Sequence, residues 1–158
     1  MIAAGQVMRT SVISVSPEDT LDQVLDILIK HGISGVPVVD ETNKLVGIIT
    51  EKDLINFTSR EYAISRIDSS GWVSPYTELK GSVKIKEGFE LLNKTTVRNV
   101  MTKRVCTVNE QTPIKDVAFK MNKKKFNQLP VIDREGKLIG IITRTHLIRH
   151  MAMEGHMV

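Results

Sequence analysis

Only one cysteine, Cys106, occurs in the 158 residues. No intrachain disulfide framework can therefore hold the chain, and a reducing, cytoplasmic setting is expected. No apolar run approaches the 18 or so residues that would span a bilayer, so no membrane partner is expected. The opening stretch Met1–Thr10 lacks the basic start and apolar centre of a secretory signal. Also missing are a nucleophile with a general base, a complete set of metal ligands, and a glycine-rich phosphate loop after a strand. Neither an enzyme nor a metal site is expected. Charge of either sign is nearly balanced: 22 Lys and Arg against 18 Asp and Glu leave a formal +4. Such an excess suits nucleic acid, a phosphate-bearing ligand, or no charged partner at all. With 41% hydrophobic and 25% charged residues, the composition is that of a compact soluble protein with one sizeable core or two small ones.

What the chain does contain is a repeat. Val7–Phe57 aligns with Val100–His150 at a constant offset of 93, without a gap. The register is plainest where GVPVVDETNKLVGIITEKDLI meets QLPVIDREGKLIGIITRTHLI. Identities include Pro37/Pro130, Asp40/Asp133, Lys44/Lys137, Gly47/Gly140 and Thr50/Thr143. The chain thus divides into a first repeat (1–57), a partly helical spacer (58–99), and a second repeat with a short tail (100–158).

Each copy predicts the same string of elements. A β-branched stretch comes first, Val12–Val15 or Val105–Val108. A helix follows, with Leu21, Val24, Leu25 and Leu28 at helical spacing, matched by Ile114, Val117, Ala118 and Met121. Thr112 is expected to cap the second copy's helix with Pro113 in its first turn, Asp19 and Thr20 being the equivalents, and Gly32 to end the first copy's helix. Two strands, Val36–Val39 and Leu45–Ile49, flank the polar turn Asp40–Lys44, with Gly136 suiting the second turn. Their nearly continuous apolar character predicts burial on both faces. A second helix starts after Thr50 and after Thr143. One β-α-β-β-α unit buries little surface alone, so an α+β fold is expected, its two repeats packed sheet to sheet about a pseudo-twofold axis, with clefts between them.

The order strand, helix, GVPVVD, hairpin, LVGIIT, then xxD resembles the CBS domain, and the tandem arrangement resembles a Bateman module. The likeness covers both repeats. The spacer with Trp72 and the VRNVMT lead-in is similar to that of stand-alone CBS-pair proteins. The resemblance implies a regulatory module that binds AMP, ADP, ATP or S-adenosylmethionine between its repeats, and a homodimer. No cofactor is implied beyond that ligand.

By the same resemblance, Thr50-Glu51-Lys52-Asp53 holds ribose and a nearby phosphate. A carboxylate accepts from both ribose hydroxyls, and a helix N-terminus offers free N–H groups to phosphate. Thr-x-x-Asp is equally a capping box that needs no ligand. The rest of this first cleft would come from the other repeat: Val105 and Cys106 against adenine, Asn127 and Gln128 toward ribose or phosphate, with Lys52 adding charge. Val105 and Cys106 also read as ordinary core residues. A second, weaker cleft would combine Thr143, Arg144 and His146 with Val12, Ile13, Ser34 and Gly35. There His146 replaces the aspartate, and a neutral imidazole cannot grip two hydroxyls as a carboxylate does.

Three further features admit bland readings. His146, His150 and His156 have a spacing that suits zinc, but no carboxylate or cysteine completes the set. The run Lys123–Lys125 reads as the solvated end of a helix. Trp72, Tyr62 and Tyr76 in the spacer read as a small satellite core. The function expected is sensing of an adenine nucleotide, AMP or ADP before ATP, S-adenosylmethionine or NAD-like ligands, with the signal passed to an unidentified regulated protein. A ligand-independent homodimeric interaction module is the alternative, and nucleic-acid binding a lesser one.

Overall fold

The computed structural model describes residues 1–66 and 90–155, and its architecture is α+β. In chain order the elements are α1 (Ala4–Val7), α2 (Leu21–His31), β1 (Gly35–Val39), β2 (Leu45–Thr50) and α3 (Glu51–Arg66). Residues 90–94 are helical, and a 3-10 turn follows at Val97–Asn99. Then come α4 (Ile114–Lys124), β3 (Gln128–Ile132), β4 (Leu138–Thr143) and α5 (Arg144–Gly155). Trp72, Tyr76, His156 and the side chain of Tyr62 lie outside the described residues.

Helix α2 forms because Leu21, Val24 and Leu28 return to one face, where all three are buried. Its N-terminus is fixed by the Gln23 side chain, which accepts the Thr20 amide at 3.0 Å. Its end is fixed by Gly32, left-handed at φ 59°. The equivalent helix α4 starts one residue later than the sequence implies. Pro113 is its N-cap (φ −57°, ψ 139°), and the Thr112 hydroxyl turns to Asn109, donating to its side-chain oxygen and accepting its amide, both at 3.1 Å. Lys125 closes α4 in the same left-handed conformation as Gly32, at φ 56°.

The hairpins match the expected positions. Strand β3 pairs antiparallel with β4 from Gln128↔Thr143 to Ile132↔Leu138, with a bulge at Val131/Ile132. Burial on both faces holds only for the first strand of each hairpin: Gly35–Val38 and Leu129–Val131 are buried, whereas β2 and β4 alternate. The strands expected at Val12–Val15 and Val105–Val108 contract to single parallel bridges, Val15↔Val38 and Val108↔Val131.

Contacts divide the chain into two compact units that do not follow chain order. The first-repeat unit is Val15–Val38 with Ile48–Thr102. The second-repeat unit is Met1–Ser14, Val39–Gly47 and Lys103–Val158. Each repeat thus carries the lead-in of the other. In the second-repeat unit, Ala4 and Gly5 donate to the carbonyls of Thr112 and Glu110, both at 2.8 Å, and Arg9 pairs with Ile141. The first-repeat unit reproduces each bond 93 positions away: Val97 donates to Asp19 at 2.8 Å, Arg98 to Pro17 at 2.9 Å, and Thr102 pairs with Ile48.

The exchange extends to the core. Fully buried Ala4 belongs to the cluster of Val108, Val117, Met121, Leu129, Val131 and Ile142, with Met8 packed against it. Each larger side chain of that cluster contributes roughly 1.5–3 kcal/mol by leaving water. The two hairpin turns meet within the same unit: Leu45 donates to the Gly136 carbonyl at 3.1 Å and Leu138 to that of Asn43 at 3.0 Å.

Candidate functional site

The turn from β2 into α3 is a closed capping box. The Asp53 carboxylate accepts through Oδ2 from the Thr50 amide at 2.9 Å and from its hydroxyl at 3.0 Å. In return the Thr50 hydroxyl accepts the Asp53 amide at 3.3 Å. The sequence permits this because Thr and Asp stand three apart at a helix start. Oδ1 is approached by the Thr102 hydroxyl at 3.4 Å, a contact the sequence did not suggest. Thr102 arrives through the exchanged lead-in, and only the constant offset of the repeat hints at it. The Ser34 carbonyl accepts the Glu51 amide at 2.9 Å, which commits that carbonyl to the helix start. Lys52 is exposed, Ser34 half-buried and Gly35 buried, all in the first-repeat unit.

The second repeat builds the same turn with different chemistry. His146 Nδ1 takes the place of the carboxylate and accepts the Thr143 amide at 3.3 Å. Its pKa lies below the ordinary 6.5, chiefly because burial disfavours the imidazolium, with repulsion from Arg9 and Arg149 adding to that; a backbone bond to Ile141 opposes it. The Arg144 guanidinium is bound to carbonyls, through Nε to Phe126 at 3.0 Å and through Nη2 to Met121 at 3.2 Å. It thereby caps the end of α4, where carbonyls lack helical partners.

The other expected residues of the second-repeat unit form two environments. Val12, Ile13, Val105 and Cys106 are half-buried, and Cys106 packs against the unit's core as a small apolar side chain. Asn127 is exposed, its carbonyl accepting the Arg144 amide at 3.1 Å. Gln128 differs: its Nε2 atom is buried without a hydrogen-bond partner among the described residues. An orphaned buried donor is uncommon and is a mark of ligand sites. Of the first expected ligand set, Thr50, Lys52 and Asp53 belong to the first-repeat unit, and Val105, Cys106, Asn127 and Gln128 to the second-repeat unit. Of the second set, Val12, Ile13, Thr143, Arg144 and His146 share the second-repeat unit, and Ser34 and Gly35 do not.

His150 Nε2 stands 3.5 Å from Glu154 Oε1, too long for a good hydrogen bond. Among the described residues no three His, Cys, Asp or Glu side chains gather as for a metal, and no helix is long and apolar enough to cross a membrane. Lys123–Lys125 are exposed at the end of α4. A groove of about 730 Å³ in the second-repeat unit runs between Thr107–Thr112, Lys120 and the Asp133–Glu135 turn, and contains none of the expected ligand residues.

Three comparisons bear on this arrangement. The chain is 36% identical over 141 residues to the chloroplastic CBS domain-containing protein CBSX1 of Arabidopsis thaliana, a match covering 85% of this chain and 57% of that protein. The chain thus spans little more than half the length of that relative. A crystal structure of CBSX2 in complex with AMP superposes with a TM-score of 0.73 at 27% identity, over 98% of this chain and 99% of the other. The CBS domain pair of MJ0100, in complex with 5′-methylthioadenosine and S-adenosyl-L-methionine, gives 0.69 at 27% identity, over 94% and 98%. The CBS domain model matches twice, at residues 4–60 and 97–153, so the duplicated hairpins and helix turns described above place this chain in the CBS domain family as a tandem pair.

Proposed function

We propose that this chain is a non-enzymatic regulatory module that binds an adenine nucleotide and reports its level to a partner protein. The observation that carries the reading is the posture of Asp53. Thr50 fixes the carboxylate through Oδ2, and among the described residues Oδ1 has only the 3.4 Å approach of the Thr102 hydroxyl. A carboxylate has about four lone-pair sites, so Asp53 is oriented yet retains acceptor capacity for ribose hydroxyls. The buried amide of Gln128, without a partner among the described residues, supports the same reading, since a ligand acceptor would satisfy it. So do the adenosyl ligands carried by the CBS-pair structures of CBSX2 and MJ0100.

In this reading Thr50 and Asp53 take ribose, Lys52 a phosphate, Val105 and Cys106 the adenine, and Asn127 and Gln128 further polar contacts. Thr143, Arg144 and His146, with Val12, Ile13, Ser34 and Gly35, make a weaker set. The His146 acceptor already serves Thr143, and Arg144 already serves two carbonyls. AMP or ADP is favoured over ATP, because a γ-phosphate would want more cations than Lys52 supplies. The proposal includes association of two copies and, from the lone Cys106, a cytoplasmic setting. The ligand can shift a partner-binding equilibrium only by its differential affinity for the two states.

A thermal-shift series with AMP, ADP, ATP, S-adenosylmethionine and NADH tests this. One adenylate should raise Tm in a concentration-dependent way, and Asp53→Ala should abolish the rise while the protein stays folded. The second reading, a ligand-independent dimeric module, is favoured by the box closing on itself without a ligand. It wins if none of the five compounds moves Tm.

A further inference from the structure

The groove between the Thr107–Thr112 loop, α4 and the Asp133–Glu135 turn lies within the second-repeat unit and contains none of the residues assigned above to the nucleotide. Its volume of about 730 Å³ suits a small organic molecule. Two cations, Lys120 and Arg134, and three carboxylates, Glu110, Asp133 and Glu135, line it, a formal −1. Among the described residues no ion pair joins a cation of this set to one of its carboxylates. Lys120 is half-buried and gives a single long bond, 3.3 Å, to the Thr107 carbonyl, which leaves its ammonium with donors to spare. Asp133 commits Oδ1 to the amides of Glu135 and Lys137, both at 2.9 Å, and Glu110 commits Oε1 to the Gln111 side chain at 2.7 Å. The second oxygen of each takes no bond among the described residues.

The fold does not demand these charges. At the offset of 93, Ile27, Glu41, Pro17 and Thr42 stand where the second repeat has Lys120, Arg134, Glu110 and Glu135, and only Asp133 keeps its counterpart, Asp40. The first repeat nevertheless builds the same helix and hairpin. Charges of both signs, held apart across one groove and dispensable to the architecture, complement a ligand that bears both signs. A ligand of one sign would be repelled by part of the wall. A divalent cation does not fit, since among the described residues no three such carboxylates gather as for a metal.

We propose that this groove binds a small zwitterion, an amino acid or short peptide with free termini, its ammonium on Glu110 and Asp133 and its carboxylate on Lys120 and Arg134. The site is separate from the nucleotide reading and acts through the exchanged lead-in. The carbonyls of Glu110 and Thr112, on the wall of the groove, hold the amides of Gly5 and Ala4, both at 2.8 Å. A Cβ on Gly5 would lie 3.2 Å from that of Glu110, so lead-in and groove wall are in contact. An occupied groove steadies the seat of the lead-in.

Titration of isotope-labelled protein with each standard amino acid and with triglycine, followed by amide NMR, tests this. At least one of these probes should shift the resonances of residues 107–112 and 133–135, with a dissociation constant of about 1 mM or below. The same probe should slow hydrogen exchange at Ala4 and Gly5. Its N-acetylated, C-amidated form should not bind. Lys120→Met and, separately, Arg134→Ala should each weaken binding by about tenfold and leave any adenylate-dependent rise in Tm in place, so the two sites stand or fall independently. Arg134 is exposed on a turn, so its variant decides alone if Lys120→Met does not fold. The proposal is overturned if no probe moves these amides at about 10 mM, or if a folded variant binds as tightly as the unaltered protein. Equal binding by the capped form, by inorganic phosphate or by methylamine overturns it as well, since none of these carries both charges.

Discussion

His146 Nδ1 accepts the backbone N–H of Thr143 at 3.3 Å, and the Thr143 hydroxyl accepts the amide of His146 at 3.3 Å. Protonation of Nδ1 would turn this acceptor into a donor facing a donor. The pKa of His146 is lowered in the folded protein by burial and by Arg9 and Arg149, so the unfolded chain takes the proton more readily. Its contribution to stability is then complete above about pH 6.5 and is lost as pH falls through the folded value. Differential scanning calorimetry should show Tm falling from pH 6.5 toward pH 5. His146→Asn, which keeps an acceptor but does not titrate, should flatten that slope. Equal slopes in the two proteins would rule out the histidine as the source.

Gly140 tests the exchanged lead-in. A Cβ there would lie 2.4 Å from Met8 Sδ and 3.0 Å from its Cγ, so Met8 must move for any side chain to fit. Gly140→Ala should cost about 1–3 kcal/mol, as overpacking does. In a Met8→Ala background the added penalty should nearly vanish, giving a coupling energy of about 1–3 kcal/mol in a double-mutant cycle by urea denaturation. Simple additivity would show that the two residues do not press on each other.

Lys125 holds a left-handed conformation that the equivalent Gly32 holds without a Cβ. A side chain in that region costs about 1–2 kcal/mol, part of which is offset by the greater freedom of glycine when unfolded. Lys125→Gly should therefore stabilise by about 0.5–1 kcal/mol, raising Tm by a few degrees. Gly32→Lys should destabilise by a similar amount. A neutral Lys125→Gly would mean that the lysine side chain has compensating contacts at the end of α4.

The ion pair between Arg98 and Glu18 ties the exchanged 3-10 turn to the start of the first repeat. Its side chains are 55% and 67% exposed, so solvent and salt weaken the pair. Glu18→Ala should change stability by less than about 1 kcal/mol. The larger share of that junction lies in its backbone bonds, Val97 to Asp19 and Arg98 to Pro17. Hydrogen exchange at those two amides should be nearly unchanged in Glu18→Ala.

What the sequence made legible was what local chemistry and the duplication control. Helix α2 followed from the spacing of Leu21, Val24 and Leu28, its end from Gly32, and the hairpins from their apolar runs around Asp40 and Asp133. The Thr50–Asp53 box was legible as a capping motif, and it closes as one. The start of α4 was misread because two hydroxyl outlets compete at Thr112, and Asn109 rather than the helix takes it. The strands at Val12 and Val105 shrank to bridges because β-branched residues favour extended backbone whether or not a partner strand lies alongside. The exchange of lead-ins was invisible. Ala4 and Val97 share no local signal, and their placement depends on bonds to carbonyls far along the chain. Gln128 was expected to reach ribose or phosphate through the family resemblance alone, since nothing local to it shows that its amide ends up buried without a partner among the described residues.

The exchanged lead-ins also govern synthesis. Thr20 bridges Thr96 and Ala3 bridges Pro113, so the first-repeat unit is incomplete until the chain has been made through Thr102. The N-terminal segment, although made first, must wait for Thr112 and Ile141 before its amides find their carbonyls. The first-repeat unit must therefore wait for the lead-in that follows the spacer, and the second-repeat unit draws on Met1–Ser14, made first, in contrast to domains that fold one after another from the N-terminus. Such distant pairings slow the final step. A chain cut between the repeats leaves each half with an open groove where the other's lead-in belongs, and two such halves should recover their cores only by finding each other.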